Sequence, residues 1–377
     1  MFEPSFIKRS HWKMFGVMII LSLLGLLTIL STTLPPDSSP EAITISPFVK
    51  SQLRAVCIGI FVYFVCVALD YRKLREWTLI FYLLILLMLI GLYFTPPIHN
   101  VRRWYRFPFL PFDLQPSEYA KLIVVMALSW FLEKRGEIVH RFSTFFMASL
   151  IVLIPFVLIL KEPDLGTALI LVPISFVLFY FGGISPRILR PITLAAALMV
   201  AFVLSIFLGF LSHEELKPYV TGFVKEYQYE RLNPATYHQT AAQTAISLGK
   251  VTGSGFLQSE FTGNRFLPYA FTDSIFPAFA EQFGLIGCLF LLSLYGLLIF
   301  FAFEAVKKGR DPYGKLLAAG ISVYITMHVV INVGMMAGLL PITGVPLILM
   351  SYGGSSLLST YIALGILQSI YARRFTF

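Results

Sequence analysis

The stretch RFLPYAFTDSIFPAFAEQFG, Arg265 to Gly284, sets one carboxylate, Asp273, where polar chain turns apolar. Pro277 and Glu281 follow about one and two helical turns on, so the three share a helix face. A carboxylate pressed against apolar surface loses solvation, which raises its pKa and makes it a better general base. The same position suits a helix cap, a job for which Thr272 competes. Sequence alone leaves both roles open.

Three further segments carry charge at apolar boundaries. HNVRRWYRF, His99 to Phe107, puts Arg102, Arg103 and Arg106 around Trp104. Guanidinium forks match phosphate oxygens, and a Trp among them packs on lipid or stacks on an arginine. A loop anchored at lipid headgroups would use the same residues. The chain continues as PFLPFDLQPSEYAKL, where Ser117 after Pro116 suits a helix N-cap, and Glu118 and Lys121, three apart, pair on one face. Charges at that depth need partners, so structural pairing is the favoured role. In KEPDLGTA, Pro163 ends one helix and Asp164 caps the next, a job Asn would also do. Lys161, Glu162 and Asp164 still concentrate three charges at one boundary, which equally fits a functional site.

Polar chain from Ser212 to Thr272 forms the largest loop. Its EYQYERLNPATYHQ segment supplies Arg231, and GKVTGSGF supplies Gly249, Gly253 and Gly255, which allow a tight turn or close backbone approach. No lysine-serine pair follows at Walker spacing, so the glycines do not make a phosphate loop. From Asn332 to Ser359, two apolar runs are joined through Pro341, Gly344, Pro346, Gly353 and Gly354. Irregular backbone at membrane depth requires cover by protein or a cavity, although the glycines also permit close helix packing. His328, inside an apolar run, reads as a hydrogen-bonded packing residue ahead of a proton relay.

These residues need elements to hold them, and composition dictates which kind. With 57% hydrophobic and 13% charged residues, the chain has more apolar surface than a soluble fold can hide. Apolar runs long enough for a bilayer core recur along it, at Met14–Thr32, Gln52–Leu69, Trp77–Phe94, Tyr119–Leu132, Thr144–Leu160, Gly166–Gly182, Ile192–Leu211, Ser274–Phe303, Leu316–Leu340 and Tyr352–Ala372. An all-α integral membrane protein follows, with about ten spans, a large loop at 212–272 between spans seven and eight, and a broken, re-entrant region between spans nine and ten. Cys57, Cys66 and Cys288 all fall inside spans, which leaves a disulfide framework or metal site without support. The first run lacks a cleavage site and suits a retained helix. One polytopic membrane domain over 1–377 is the simplest organisation.

Lysine and arginine set the orientation. Lys8, Arg9, Lys13; Arg72, Lys73, Arg75; Lys134, Arg135, Arg141; Arg187, Arg190; Lys307, Lys308, Arg310, Lys315; and Arg373, Arg374 fall in alternate connections. Both termini are therefore expected in the cytoplasm, and Asp273 and the arginine loop outside.

VRRW, QPSEYAK, EPDLGTA, FLP followed by TD, and GLLPITGVPLILMSYGGSS occur in this order on the outer side. With them the chain resembles, along nearly its whole length, the SEDS (shape, elongation, division, sporulation) family of bacterial cell-wall proteins. ITGVP and YHQTAAQ are closer to its elongation members than to its division members. The resemblance implies a peptidoglycan glycosyltransferase of the bacterial inner membrane that polymerises lipid II, a disaccharide-peptide on undecaprenyl pyrophosphate. It implies Asp273 as catalytic residue, with Arg103, Trp104, Glu118, Lys121, Asp164 and Arg231 in substrate binding beside Arg102 and Arg106. Cationic stabilisation of the leaving pyrophosphate would explain the arginines. It further implies a class B penicillin-binding protein as partner within an elongation complex; a divalent cation at the pyrophosphate is left open, and no other cofactor is expected. The chain departs from the family pattern at Phe271, where histidine is usual, at Ser274, where phenylalanine is usual, and at Gln282, the second of a usual glutamate pair.

Two other functions suit the same features: a flippase for a lipid-linked precursor, gated by the broken spans, and a non-catalytic scaffold for a single-pass synthase. The topology has a direct check. Cysteine at position 222 (Gly222→Cys) should react with an impermeant thiol reagent in intact cells, and cysteine at 309 (Gly309→Cys) only after lysis; reversed labelling would place every candidate residue in the wrong compartment.

Overall fold

Apolar runs become helices where a side chain satisfies the first turn's free amides. Ser46 accepts from the Val49 amide ahead of Pro47, Asp70 from Arg72, Asp164 from Thr167 and Asp311 from Gly314. The computed structural model describes residues 9–34, 45–97, 101–108, 112–220 and 229–374. Its long helices are α1 (Trp12–Thr33), α2 (Pro47–Ala68), α3 (Tyr71–Gly91), α4 (Pro116–Arg135), α5 (Phe142–Lys161), α6 (Leu165–Phe181) and α7 (Pro186–Phe207). Short helices α8 (His213–Val220), α9 (Tyr237–Leu248) and α10 (Glu260–Gly263) follow, then α11 (Ile275–Lys308), α12 (Pro312–Met336) and α13 (Gly354–Ala372). Among the described residues, eight helices are long and apolar enough to cross a membrane. α4, laden with charge, and α6, at 17 residues, are not of that set but pack between its members.

Chain direction alternates, so one end of the bundle gathers the turn at 162–164, residues 92–97, 101–108 and 112–115, the described part of the α7–α11 connection and the α12–α13 connection. That is the site end. α13 packs along α2 and α12 along α11, while α4 contacts α3, α5, α6 and α12. The most buried helices, α12 and α13, form the bundle's centre; α7 lies nearly free of other helices.

Each predicted span overlaps a long helix, but the edges differ. α3 begins at Tyr71 rather than Trp77, and α4 extends beyond both ends of Tyr119–Leu132. α7 starts at Pro186 rather than Ile192. Hydropathy marks the lipid-contacting middle of a helix, whereas Asp70 and the N1 prolines mark its start. The 212–272 loop is not structureless: α8, α9 and α10 lie within it. Positions 222 and Lys8 lie outside the described residues.

α11 breaks its regular geometry at Gly284, with φ 62° and ψ −164°. The freed carbonyls of Glu281 and Gln282 accept from the Ser254 and Gly255 amides at 2.9 and 3.0 Å, and the Leu285 and Ile286 amides donate to Lys250 and Val251. The GKVTGSG segment thus supplies the hydrogen bonds the break removes, the condition for irregular backbone near a bilayer. Its glycines make the approach possible. A Cβ on Gly249 would sit 2.0 Å from the Ala280 carbonyl oxygen, and one on Gly253 2.1 Å from that of Gln282. The Glu281 carboxylate completes the join, accepting from the Phe261 and Thr262 amides at 2.9 and 3.0 Å. Gly253→Ala, at φ 82° against backbone, should destabilise the purified protein by at least about 1–3 kcal/mol; thermal unfolding in detergent measures it, and an unchanged midpoint would mean the segment does not hold the break.

Candidate active site

Asp273 occupies the turn before α11 but does not cap it. Ser274 takes the N-cap position without capping; its Oγ pairs with His238 Nε2 from α9 at 2.7 Å. The Thr272 hydroxyl donates to the Tyr269 carbonyl. The backbone around Asp273 is tied instead to the α12–α13 connection. Asn332 Nδ2 donates to the Asp273 carbonyl at 2.9 Å and to that of Val345 at 2.8 Å. Ser351 Oγ donates to the Thr272 carbonyl at 2.7 Å, and the Tyr352 amide to that of Phe271 at 2.9 Å. These bonds fix the main chain and leave the side chain uncommitted: among the described residues no protein donor bonds its carboxylate. Gly344 lies opposite, where an added Cβ would stand 3.4 Å from Asp273 Oδ2.

The neighbouring charges come from two turns. Asp164 Oδ1 accepts from the Thr167 amide at 3.3 Å, and Oδ2 from Gln115 Nε2 at 2.9 Å and Ser117 Oγ at 3.0 Å, joining α6 to the start of α4. Arg103 lies in a hairpin-like segment closed by paired Tyr105 and Leu114 backbone bonds of 2.8 Å. Its Nε donates to the Glu162 carbonyl at 2.8 Å, and Nη2 donates to that of Pro163. These carbonyls belong to the C-cap of α5 and the residue after it, so the guanidinium also meets the negative end of a helix dipole. Burial pushes the Asp273 carboxyl up to about 6; the Asp164 charge adds to the rise and Arg103 opposes it. The Asp164 and Arg103 charges thus both act on Asp273.

Deeper in the bundle, Lys121 Nζ donates to Glu118 Oε1 at 2.9 Å and lies 2.9 Å from His328 Nε2. His328 Nδ1 is 3.1 Å from the Pro346 carbonyl. A carbonyl only accepts and an ammonium only donates, which assigns the proton to Nδ1 and the lone pair to Nε2. The Glu118–Lys121 pair expected from spacing is present, with both side chains almost wholly enclosed. It lines no open surface. It holds α4 to α12 and, through His328, to the Pro341–Pro346 segment opposite Asp273.

The model of the FtsW/RodA/SpoVE family, described as cell cycle protein, matches residues 11–375. The chain belongs to this family. Relatives include the Helicobacter pylori peptidoglycan glycosyltransferase MrdB, 32% identical over 330 residues that cover 85% of this chain and 82% of that one. The Treponema pallidum peptidoglycan glycosyltransferase RodA is 29% identical, covering 95% and 96%. Among solved structures, a chain from work on the coordination of polymerization and crosslinking by a peptidoglycan synthase complex superposes with TM-score 0.77 at 26% identity, covering 98% of this chain and 99% of that one. Thermus thermophilus RodA superposes with TM-score 0.69 at 26% identity, covering 98% of each.

Within this FtsW/RodA/SpoVE protein the arginine cluster does not act as one group. Arg102 Nη1 donates to the Tyr93 carbonyl at 2.6 Å, and Arg106 makes a fork with Asp113 of its own hairpin at 3.2 and 3.3 Å. Of the three, Arg103 is the one that bonds the 162–163 turn and whose charge acts on Asp273. Trp104, beside it, is partly exposed, and of Arg231 only the backbone is described. The departures from the family pattern have local partners: Phe271 packs on Phe48 and Tyr352, with ring centroids 4.9 and 5.8 Å apart, and Ser274 pairs with His238. Among the described residues no group of three or more His, Cys, Asp or Glu is arranged to hold a metal ion.

Asn332, Gln115 and His328 were not among the expected site residues, although they fix the positions of those that were. Nor does Asn suffice at 164 once three donors converge there, because its amide nitrogen cannot accept. Asp164→Asn should leave at least one buried donor unsatisfied and destabilise the protein by about 1–3 kcal/mol; thermal unfolding measures this, and a wild-type midpoint would reduce Asp164 to an ordinary cap.

Proposed function

We propose that the chain polymerises lipid II at the outer face of the bacterial cytoplasmic membrane, with Asp273 as general base and Arg103 at the departing pyrophosphate. It is a peptidoglycan glycosyltransferase of the elongation kind and a multi-pass membrane protein. The 4-hydroxyl oxygen of the acceptor sugar attacks the donor's anomeric carbon and gives its proton to Asp273. The bond from that carbon to the pyrophosphate oxygen breaks, with inversion, and the electron pair leaves on the pyrophosphate. Arg103 retains N–H groups beyond the two used on carbonyls, and these offer cationic hydrogen bonds to the charge that develops.

The observation that carries this reading is the state of Asp273: main chain fixed by several bonds, carboxylate free of protein donors among the described residues, and an arginine close enough to oppose its rise. A base must have a free lone pair and a settled position. Asp164 and Glu281 are more heavily committed, since donors reach both oxygens of each. Orientation rests on the lysines and arginines at the bundle end away from Asp273, which read as cytoplasmic and leave both termini there. One structural relative comes from a complex that couples polymerization to crosslinking, which supports a class B penicillin-binding protein as partner. Glu118 and Lys121 then act by positioning the Pro346 segment rather than by touching substrate.

Purified protein with labelled lipid II tests the proposal. Wild-type protein should build glycan ladders at a rate that climbs as pH rises through about 6, where Asp273 loses its proton. Asp273→Asn should keep the unfolding midpoint and lower the rate by about a hundredfold or more. Near wild-type ladders from Asp273→Asn would reject the base. Translocated lipid without polymer would favour a flippase, and neither activity a scaffold.

A further inference from the structure

Glu162 has no part in the chemistry above, yet it is the most unusual carboxyl at the site. It is 4% exposed, and among the described residues neither side-chain oxygen has a hydrogen-bond partner. It stands at the C-cap of α5, where the helix dipole disfavours negative charge. Arg103, the cation whose charge acts on it, bonds to its carbonyl and to that of Pro163 rather than to its carboxyl. The titratable groups facing it are Arg103 and Tyr105 from the hairpin, Tyr93 after α3, and Asp164 from its own turn. The two tyrosine hydroxyls donate elsewhere, to Met88 and Leu158 carbonyls. Lys161 is solvent-exposed.

Each other charge here is offset. Three donors meet Asp164, and Arg103 opposes the rise in Asp273. An ionised Glu162 would have only Arg103 to offset it, and would cancel the field that Arg103 presents to an incoming anion. A protonated Glu162 leaves that field intact.

We infer that Glu162 is kept as a neutral carboxylic acid and gates anion binding at Arg103: with its proton, the corner accepts a pyrophosphate diester, and without it the corner repels one. This rests on Arg103 as the pyrophosphate site. Glu162 is a positioning residue; it sets the charge of the corner without touching the reacting atoms. Burial, reinforced by the Asp164 charge and opposed by Arg103, pushes its pKa up to about 8. The sign follows: below that value the acid is neutral and binding is tight, and binding weakens as pH rises through it. By reciprocity, a bound anion raises that pKa further, so binding near pH 8 takes up a proton.

A polyprenyl pyrophosphate esterified at both ends has no titrating phosphate near neutrality, so any pH dependence belongs to the protein. The test is the Kd of the full chain in nanodiscs for a fluorescent polyprenyl-pyrophosphate-linked disaccharide. In wild type it should weaken by roughly tenfold between about pH 7 and about pH 9.5, the effect of one unscreened charge nearby. In Glu162→Gln the slope should vanish. Calorimetry in buffers of different ionisation enthalpy should detect proton uptake in wild type, a readout independent of the variant's folding. A wild-type Kd flat with pH, the same slope in Glu162→Gln, or no proton uptake would each overturn the gate. Binding that is unaffected by Arg103→Gln would instead reject the pyrophosphate site on which the gate rests.

Discussion

The carboxylate of Asp164 accepts from the Thr167 amide, Gln115 and Ser117 at once, and the site end of the bundle is organised around those three bonds. They join the starts of α6 and α4. The turn they fix presents the Glu162 and Pro163 carbonyls to Arg103, which brings the hairpin onto the bundle. The same negative charge helps raise Asp273. One group therefore determines where the cation stands and contributes to how basic the free carboxylate is. A buried charge is tolerable when donors meet it, and Asp164 accepts three hydrogen bonds where, among the described residues, the Asp273 carboxylate accepts none. This contrast is the basis for proposing Asp273, rather than Asp164, as the base.

Irregular backbone surrounds the site on two sides, and each break is repaired by a different device. The Gly284 break in α11 is closed by amides and carbonyls of the 250–255 segment. The α12–α13 connection is held by side chains: Asn332 and His328 from α12, and Gln52 from α2, whose amide bonds the Ser351 carbonyl and the Gly353 amide at 3.1 and 3.2 Å. Main chain satisfied in this way is fixed without being helical, so a carboxylate can stand opposite Gly344 instead of being drawn into a helix cap.

Much of this was legible in the sequence, for physical reasons. Apolar runs of bilayer length fix the all-helical class, and each predicted span overlaps a helix because lipid leaves the backbone few alternatives. Pairing of Glu118 with Lys121 followed from spacing of three residues and the cost of an unpaired buried charge. What stayed hidden depends on contacts between distant segments. Nothing near residue 102 shows that Arg106 turns to Asp113 while Arg103 turns to the α5 end. Asn332 and Gln115 belong to common polar types with no local signal, and their partners lie 59 and 49 positions away. The glycines of GKVTGSG were read as permitting close approach; that the partner is the α11 break could not be seen without Gly284's conformation. Short α8, α9 and α10 escaped because polar helices lack a run of hydrophobic residues.

The central claim is that Asp273 is a carboxylate poised near neutrality by burial and by Asp164. Its protonation can be followed directly from the carboxyl stretch in pH-titrated infrared difference spectra of wild type against Asp273→Asn, in lipid and without substrate. A band assigned to Asp273 should titrate with a midpoint of about 6. A midpoint near the ordinary aspartate value of about 4 would show a solvated carboxylate with no special basicity and contradict the claim.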